Sequence, residues 1–217
     1  MSFFKKTFTK FGSKSKAEPR KLSRVNQLLV GDIIVLTDSF ALPESLRQQE
    51  FQVKSVNSYE FEHNVQTEWA LLGTNALEIF LSLDVDDTTE LKFSLKIAHE
   101  DVETLFDLER FSEVFDEPGQ AFLDKKSDTT LSAGWSSDQY QQSVFAKVGY
   151  FHRKDHRSEN LSSYEGRDSG EQFELYSLFN EDQSNGIDIE VWQDGDTEVC
   201  LTLFRPLSDI IDMYPGS

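Results

Sequence analysis

Two stretches of this chain carry the same pattern, and that repetition limits the fold more than any other feature. Residues 79–106 (IFLSLDVDDTTELKFSLKIAHEDVETLF) and 187–214 (IDIEVWQDGDTEVCLTLFRPLSDIIDMY) align without a gap at an offset of 108. Six of the 28 positions are identical, among them Ile79/Ile187, Asp86/Asp194, Leu95/Leu203 and Asp101/Asp209. The shared pattern goes further than the identities. Ile79, Leu81 and Leu83 alternate like Ile187, Ile189 and Val191, and Leu91, Phe93 and Leu95 alternate like Val199, Leu201 and Leu203. Apolar residues at every second position mark strands with one face buried. The acidic turns DVDDTTE and QDGDTE separate the strands. Asp101-Val102-x-x-Leu105-Phe106 and Asp209-Ile210-x-x-Met213-Tyr214 follow, which is helical spacing with an acidic first turn. Each copy predicts strand, acidic turn, strand, short helix.

The earlier part of each repeat reads in the same terms. Leu28–Leu36 predicts a buried strand around Gly31-Asp32, and 38–49, with Pro43, a loop or short helix. Phe51, Val53 and Val56 predict a strand, followed by the aromatic-acidic alternation Tyr59-Glu60-Phe61-Glu62. A turn is expected at 64–66 and a strand at 68–72. After Phe106, Leu108, Phe111, Val114 and Phe115 continue the helical spacing until Asp116-Glu117-Pro118-Gly119 ends it. Beyond that point, Ala121-Phe122-Leu123 echoes the opening strand and 136–142 the loop or short helix before Phe51. Strands are expected at 144–151 and 173–178. The resulting expectation is a β-rich α+β fold of two related antiparallel-sheet halves, barrel or half-barrel, with short helices. Its divisions are a basic, flexible arm (1–25), a first repeat (26–115) and a second repeat (116–217).

Charge separates the arm from the body. The chain carries -18 overall, yet residues 1–25 hold eight Lys and Arg against Glu18 alone. With +7 on the arm, the remainder carries -25 (-18 less 7). A body so acidic repels phosphate backbones, which argues against nucleic-acid binding. Phe3, Phe4, Phe8 and Phe11 fall within an arc of roughly 140° on a helical wheel, with Lys5, Lys6 and Lys10 outside it. A Phe-and-Lys helix of this kind suits an anionic membrane interface, while a flexible tail or a protein-docking segment has the same composition. The single cysteine, Cys200, rules out an intramolecular disulfide and a cysteine zinc cluster. Its alternation with Val199 and Leu201 places it among apolar neighbours on the second sheet face. The N-terminus has no apolar run of signal-peptide length and no segment is long enough to span a bilayer. The expected location is therefore cytoplasmic, with membrane association through the arm.

Two constellations bear on chemistry. Asp84, Asp86 and Asp87 in one turn, and Asp194 and Asp196 in its counterpart, are oxygen donors for a hard cation, but Asp-Gly-Asp is equally an ordinary hairpin turn. His152, Arg153, Lys154, His156 and Arg157 form the one basic cluster of the acidic body. Read as a surface loop, it suits a phosphate or an acidic partner, or simply a solvated hairpin tip. No nucleophile motif, glycine-rich phosphate loop or cofactor signature is present, so no cofactor is expected.

Gly31-Asp32, Tyr59-Glu60, Glu68-Trp69-x-Leu-Leu and Phe80-Leu81-Ser82-Leu83-Asp84 together resemble an uncharacterised bacterial domain family. In it a hydrophobic-Gly-Asp opening, a Trp before a Leu-Leu pair and a Trp/Phe-Leu-Ser strand recur. The resemblance covers about residues 28–95. It implies a β-rich module, often in tandem, with genes near small membrane proteins and polyamine aminopropyltransferases, and it supplies no catalytic residues. The Phe/Lys start also looks like that of peripheral proteins near phage-shock-type membrane-stress operons. The expected function is a non-catalytic binding or assembly protein with an unknown protein partner, peripheral at the cytoplasmic membrane face through its arm. The alternative is an enzyme or small-cation binder, for polyamine or metal, using a carboxylate-rich cleft. A deep pocket with converging carboxylates and raised pKa values favours the alternative.

Overall fold

The computed structural model describes residues 20–159, 164 and 170–216. The arm residues Phe3, Phe4, Lys5, Lys6, Phe8, Lys10 and Phe11 lie outside them. Strand β1 (Ile33–Leu36) is followed by β2 (Glu50–Glu60), β3 (Val65–Gly73), β4 (Glu78–Val85) and β5 (Thr89–Ile97). Two short helices, α1 (His99–Leu105) and α2 (Leu108–Ser112), lead to β6 (Phe122–Asp124) and β7 (Gln139–His152). The chain closes with β8 (Glu171–Phe179), β9 (Asn185–Trp192), β10 (Thr197–Pro206) and β11 (Ile210–Tyr214). All eleven belong to one antiparallel sheet in the order β11-β1-β2-β3-β4-β5-β10-β9-β8-β7-β6, and β2 also pairs with β7. That last pairing (Ser58↔His152, Tyr59↔Phe151, Glu60↔Tyr150) closes β2-β3-β4-β5-β10-β9-β8-β7 into a ring of eight strands. The sheet runs unbroken across residue 116, through β5–β10 on one side and β2–β7 on the other.

Alternation decides which face each side chain takes. Trp69, Leu71, Ile79, Leu81, Leu91, Phe93, Leu95, Ile187, Ile189, Leu201 and Leu203 point out of the ring and are buried. They join Val102 and Leu105 of α1, Phe111 of α2, and Ile34, Leu36 and Leu123 of β1 and β6 in one apolar core. The intervening residues, polar for the most part, point inward. On β2 the alternation is reset by a bulge between Val53 and Ser55. Phe51 and Val53 precede it on the core face, whereas Ser55, Asn57 and Tyr59 after it turn into the ring. β7 carries a bulge at the matching place, between Gln142 and Val144. Gly149 on β7 lies beneath the rings of Phe173 and Phe61, where a Cβ would come within 2.5 Å of the Phe173 ring.

The hairpins at 79–97 and 187–203 are as expected, with α1 following the first. Ala98 N–H donates to the Asp101 side chain (3.3 Å), and Glu100 and Asp101 place negative charge at the positive end of α1. The second helix expected, over 209–214, is instead strand β11 after a 3-10 turn at Leu207–Asp209. Two forces override the helical spacing. Pro206 and the β-branched pair Ile210-Ile211 disfavour an α-helix. The free edge of β1 offers a ladder, taken up as Ile33↔Tyr214, Ile34↔Met213 and Val35↔Asp212.

Two smaller expectations, at Gly31-Asp32 and at 136–142, are also corrected. Gly31 and Asp32 precede β1 rather than lie within a strand, because Gly31 adopts φ +92° in a turn. β2 runs on through Tyr59 and Glu60, and β7 already starts at Gln139, inside the segment expected to be a loop or short helix. No described helix is long and apolar enough to cross a membrane.

Candidate functional site

The inside of the strand ring holds a cavity of about 1070 Å³, just above the roughly 300–1,000 Å³ usual for small-molecule sites. All eight ring strands line it. Eight carboxylates reach it: Glu68, Glu78, Glu171, Asp188, Glu190, Asp194, Asp196 and Glu198. Among the described residues three basic side chains do so, and each is already taken. Lys92 pairs with Asp188, Lys96 with Glu198 (2.5 Å) and Arg153 with Glu171 (3.1 Å). Among the described residues, Glu68, Glu78, Glu190, Asp194 and Asp196 therefore have no basic partner.

Burial sets the electrostatics of the cavity, and at Glu190 the neighbouring negative charge adds to it. Desolvation pushes the Glu68 carboxyl up to about 7, against the opposing pull of a hydrogen bond from Asn57 Nδ2 (3.1 Å to Oε1) and the charge of Lys92. Desolvation, and then the charges of Glu68 and Asp188, push Glu190 up to about 8. Both groups hold protons near neutrality that ordinary glutamates release. Tyr59 donates its hydroxyl to Glu190 Oε2 (3.4 Å), and burial beside Glu68 and Glu190 holds that phenol well above its usual range. Burial alone would lower the Lys92 pKa, but the charge of Asp188 outweighs it and keeps the ammonium ion charged. Asp188 also accepts a hydrogen bond from Ser177 Oγ (2.7 Å).

Aromatic rings form one end of the cavity. Tyr59 and Phe151 lie 4.9 Å apart between centroids, and Phe151 and Trp192 5.9 Å apart. The Trp192 indole N–H is buried without a hydrogen-bond partner among the described residues. It stands in the wall of the cavity.

The residues singled out from sequence fall differently. Asp194 and Asp196 line the cavity, while Asp84, Asp86 and Asp87 are exposed at the β4–β5 turn away from it. Among the described residues no three His, Cys, Asp or Glu side chains lie close enough to hold a metal ion. The basic cluster is not a surface loop at its histidines, since His152 is 1% exposed and His156 5%. His152 Nε2 meets Glu60 Oε2 (3.0 Å) across the β2–β7 seam, and His156 Nδ1 meets Glu159 (3.1 Å). Arg157 is structural: it pairs with Asp155, donates to the Asn26 and Leu28 carbonyls, and stands 5.5 Å from the Trp69 ring centroid. The Trp69 indole also donates to the Leu28 carbonyl (3.1 Å), so the Trp before the Leu-Leu pair anchors the segment before β1. Lys154 pairs with Glu159, and Arg153 alone of the cluster reaches the cavity.

Cys200 is the last correction. It faces the carboxylates of the cavity rather than apolar neighbours. Burial, and then the charges of Glu190 and Asp188, hold its thiol well above the usual range, so it is no nucleophile. Glu68, Lys92, Asp188 and Glu190 were not picked out from sequence. Their signal was the polar half of each alternating strand, which has the same period whether it meets solvent or the inside of a ring. Comparison with protein-family models, curated proteins and solved structures finds no match to this chain.

Proposed function

We propose that the protein is a non-catalytic binding protein that takes an extended organic cation of the polyamine class inside its strand ring. The observation that carries this is the surplus, among the described residues, of five carboxylates without a basic partner in one cavity. A point charge suits the site poorly, because no three of the described acidic groups converge on one position. A chain of ammonium groups separated by methylenes suits it well. Its charges meet Glu68, Glu190 and the Asp194–Asp196 turn, and its methylenes and ammonium groups meet the faces of Tyr59, Phe151 and Trp192. The gene neighbourhood implied by the family resemblance agrees with this choice.

Titration calorimetry of the full chain with spermine, putrescine and Mg²⁺ at pH 8.5 tests the reading. Spermine should bind more tightly than putrescine, Mg²⁺ should bind weakly or not at all, and Glu68→Gln with Glu190→Gln should cost at least tenfold in spermine affinity. Equal affinity for the two amines, or binding indifferent to the double substitution, rejects it.

We also infer that the chain is an internal duplication in which β1–β5 corresponds to β6–β10. The registers Ile34↔Phe51 and Leu123↔Tyr140 support this, as do the matched bulges and the direct pairing of Ser94 with Thr202, which are equivalent positions at the offset of 108. Co-expressed fragments 1–116 and 117–217 should then associate, because both closing ladders cross the division. Fragments that fold separately and ignore each other reject the inference.

A further inference from the structure

A second concavity lies outside the ring, where the chain enters the body. It is a groove of about 330 Å³ whose apolar lining is Val25, Leu83, Leu207, Ile210 and Met213. Leu207 is 45% exposed, and Val85 and Ile211 beside these elements are 70% and 57% exposed, so the apolar surface continues past the groove. Patches of this kind on a water-facing edge mark a docking site.

Its rim is acidic. The groove includes Leu83 and Thr89; between them lie Asp84, Asp86 and Asp87, and Glu90 follows on β5. None of these four carboxylates makes an ion pair or a side-chain hydrogen bond with another described residue, and the three aspartates are exposed. Asp212 on β11 is exposed as well. The partner that fits is an apolar stripe flanked by lysines.

The chain carries such a segment, tethered nearby. Arg20 is held by Asp32 and by the Gln27 carbonyl (2.6 Å), and Ser23, Arg24 and Asn26 form one wall of the groove. Phe11 precedes Arg20 by nine residues, a span of up to about 30 Å when extended. The sequence places Phe3, Phe4, Phe8 and Phe11 on one side of a helix and Lys5, Lys6 and Lys10 on the other. A tether that short holds the segment near the groove at an effective concentration on the order of millimolar, so even weak affinity fills it.

We propose that residues 3–11 dock in this groove of their own chain, phenylalanines against Val25, Leu83, Ile210 and Met213 and lysines against the acidic β4–β5 turn. The groove is thus the stowed position of the arm, and an arm bound to lipid must leave it.

Disulfide trapping in the full chain tests this, with Cys200→Ser as background and Phe8→Cys combined with Thr89→Cys. The expected result is an intramolecular disulfide that forms at least tenfold faster than in the same chain bearing Phe3→Ser, Phe4→Ser and Phe11→Ser. Hydrogen exchange of the peptide covering 207–214 in the otherwise natural full chain is the second readout. It should speed up several-fold when the four phenylalanines are replaced by serine. A disulfide that forms at the same rate without the other phenylalanines, or only between chains, overturns the proposal. So does exchange at 207–214 that ignores the substitutions.

Discussion

Glu68→Gln isolates the energetic consequence of the cavity. In the folded chain the Glu68 carboxyl titrates at about 7, against an ordinary 4.5. Below pH 4.5 the group is protonated folded or unfolded and contributes nothing. Between 4.5 and about 7 the unfolded chain ionises while the folded chain does not, so stability falls as pH rises. Above about 7 both are ionised and the full penalty applies. At about 1.4 kcal/mol per pH unit it amounts to about 3 kcal/mol. Glutamine occupies the same space, keeps an acceptor for Asn57 Nδ2 and never ionises. The variant should therefore match the wild type near pH 4.5 and exceed it by about 3 kcal/mol at pH 8.5. Because Glu68 is among the charges that raise Glu190, the substitution should also let Glu190 titrate lower, and the two effects are not additive. Urea unfolding at pH 4.5, 6.5 and 8.5 measures the difference directly. An equal difference at all three pH values, or a variant less stable than wild type at pH 8.5, would mean that the carboxylate is solvated or counter-charged. The account of the cavity would then be wrong.

Phe93 is fully buried where β5 meets β10, and Phe93→Ala should cost about 3–5 kcal/mol in denaturant unfolding; a cost under about 1 kcal/mol contradicts its place in the core. Asp32 is 1% exposed; burial would raise its pKa, but Arg20 and the N–H groups of Gly216 (2.8 Å) and Leu29 (2.7 Å) outweigh that and hold it low. Its stabilising contribution is present above the ordinary carboxylate range and lost as pH falls through the lowered value, so Asp32→Asn should destabilise at pH 7 and much less at pH 2.5, as followed by thermal unfolding. Deleting residues 1–16 should leave the unfolding temperature nearly unchanged and abolish co-sedimentation with anionic vesicles, and Lys5, Lys6 and Lys10→Gln should weaken it as salt does; full-length protein that stays in the supernatant at low salt removes the membrane reading of the arm.

What the sequence could reveal followed from how local each determinant is. The hairpin of β4 and β5 and that of β9 and β10 were legible because their strands alternate cleanly and a polar turn separates them. The helix expected at 209–214 was not, because one i, i+3 pair, Ile210-x-x-Met213, is too little to exclude an edge strand with a bulge, which β11 has between Ile210 and Asp212. What decided the outcome was β1, some 180 residues away in sequence, whose free edge pairs with those residues. Bulges were invisible for a related reason. Nothing about Lys54 announces that alternation restarts after it, yet that one residue decides whether Tyr59 faces the core or the cavity.

The cavity was hidden by the same ambiguity, and closure is what resolves it. Lys92, Ser94 and Lys96 on β5, with Asp188 and Glu190 on β9, read as the solvent face of an amphipathic sheet. Three residue pairs between β2 and β7 curl that face inward, and the apolar face becomes the outer one, covered by α1, α2, β1 and β6. A ring built this way does not need its interior for stability, because the core lies outside it. The interior is then free to hold charges at a cost, as the raised pKa values of Glu68 and Glu190 show. Hydrophobic side chains at those positions would fill the ring and remove the penalty. The chain instead keeps eight carboxylates, counted among the described residues, around a space large enough for a ligand, and the cation proposed above would offset the cost of burying them. If the ring takes a polyamine, the rise in unfolding temperature that spermine produces should be larger at pH 8, where the glutamates ionise, than below pH 6, where protons already neutralise them; a rise equal at both pH values contradicts the proposal.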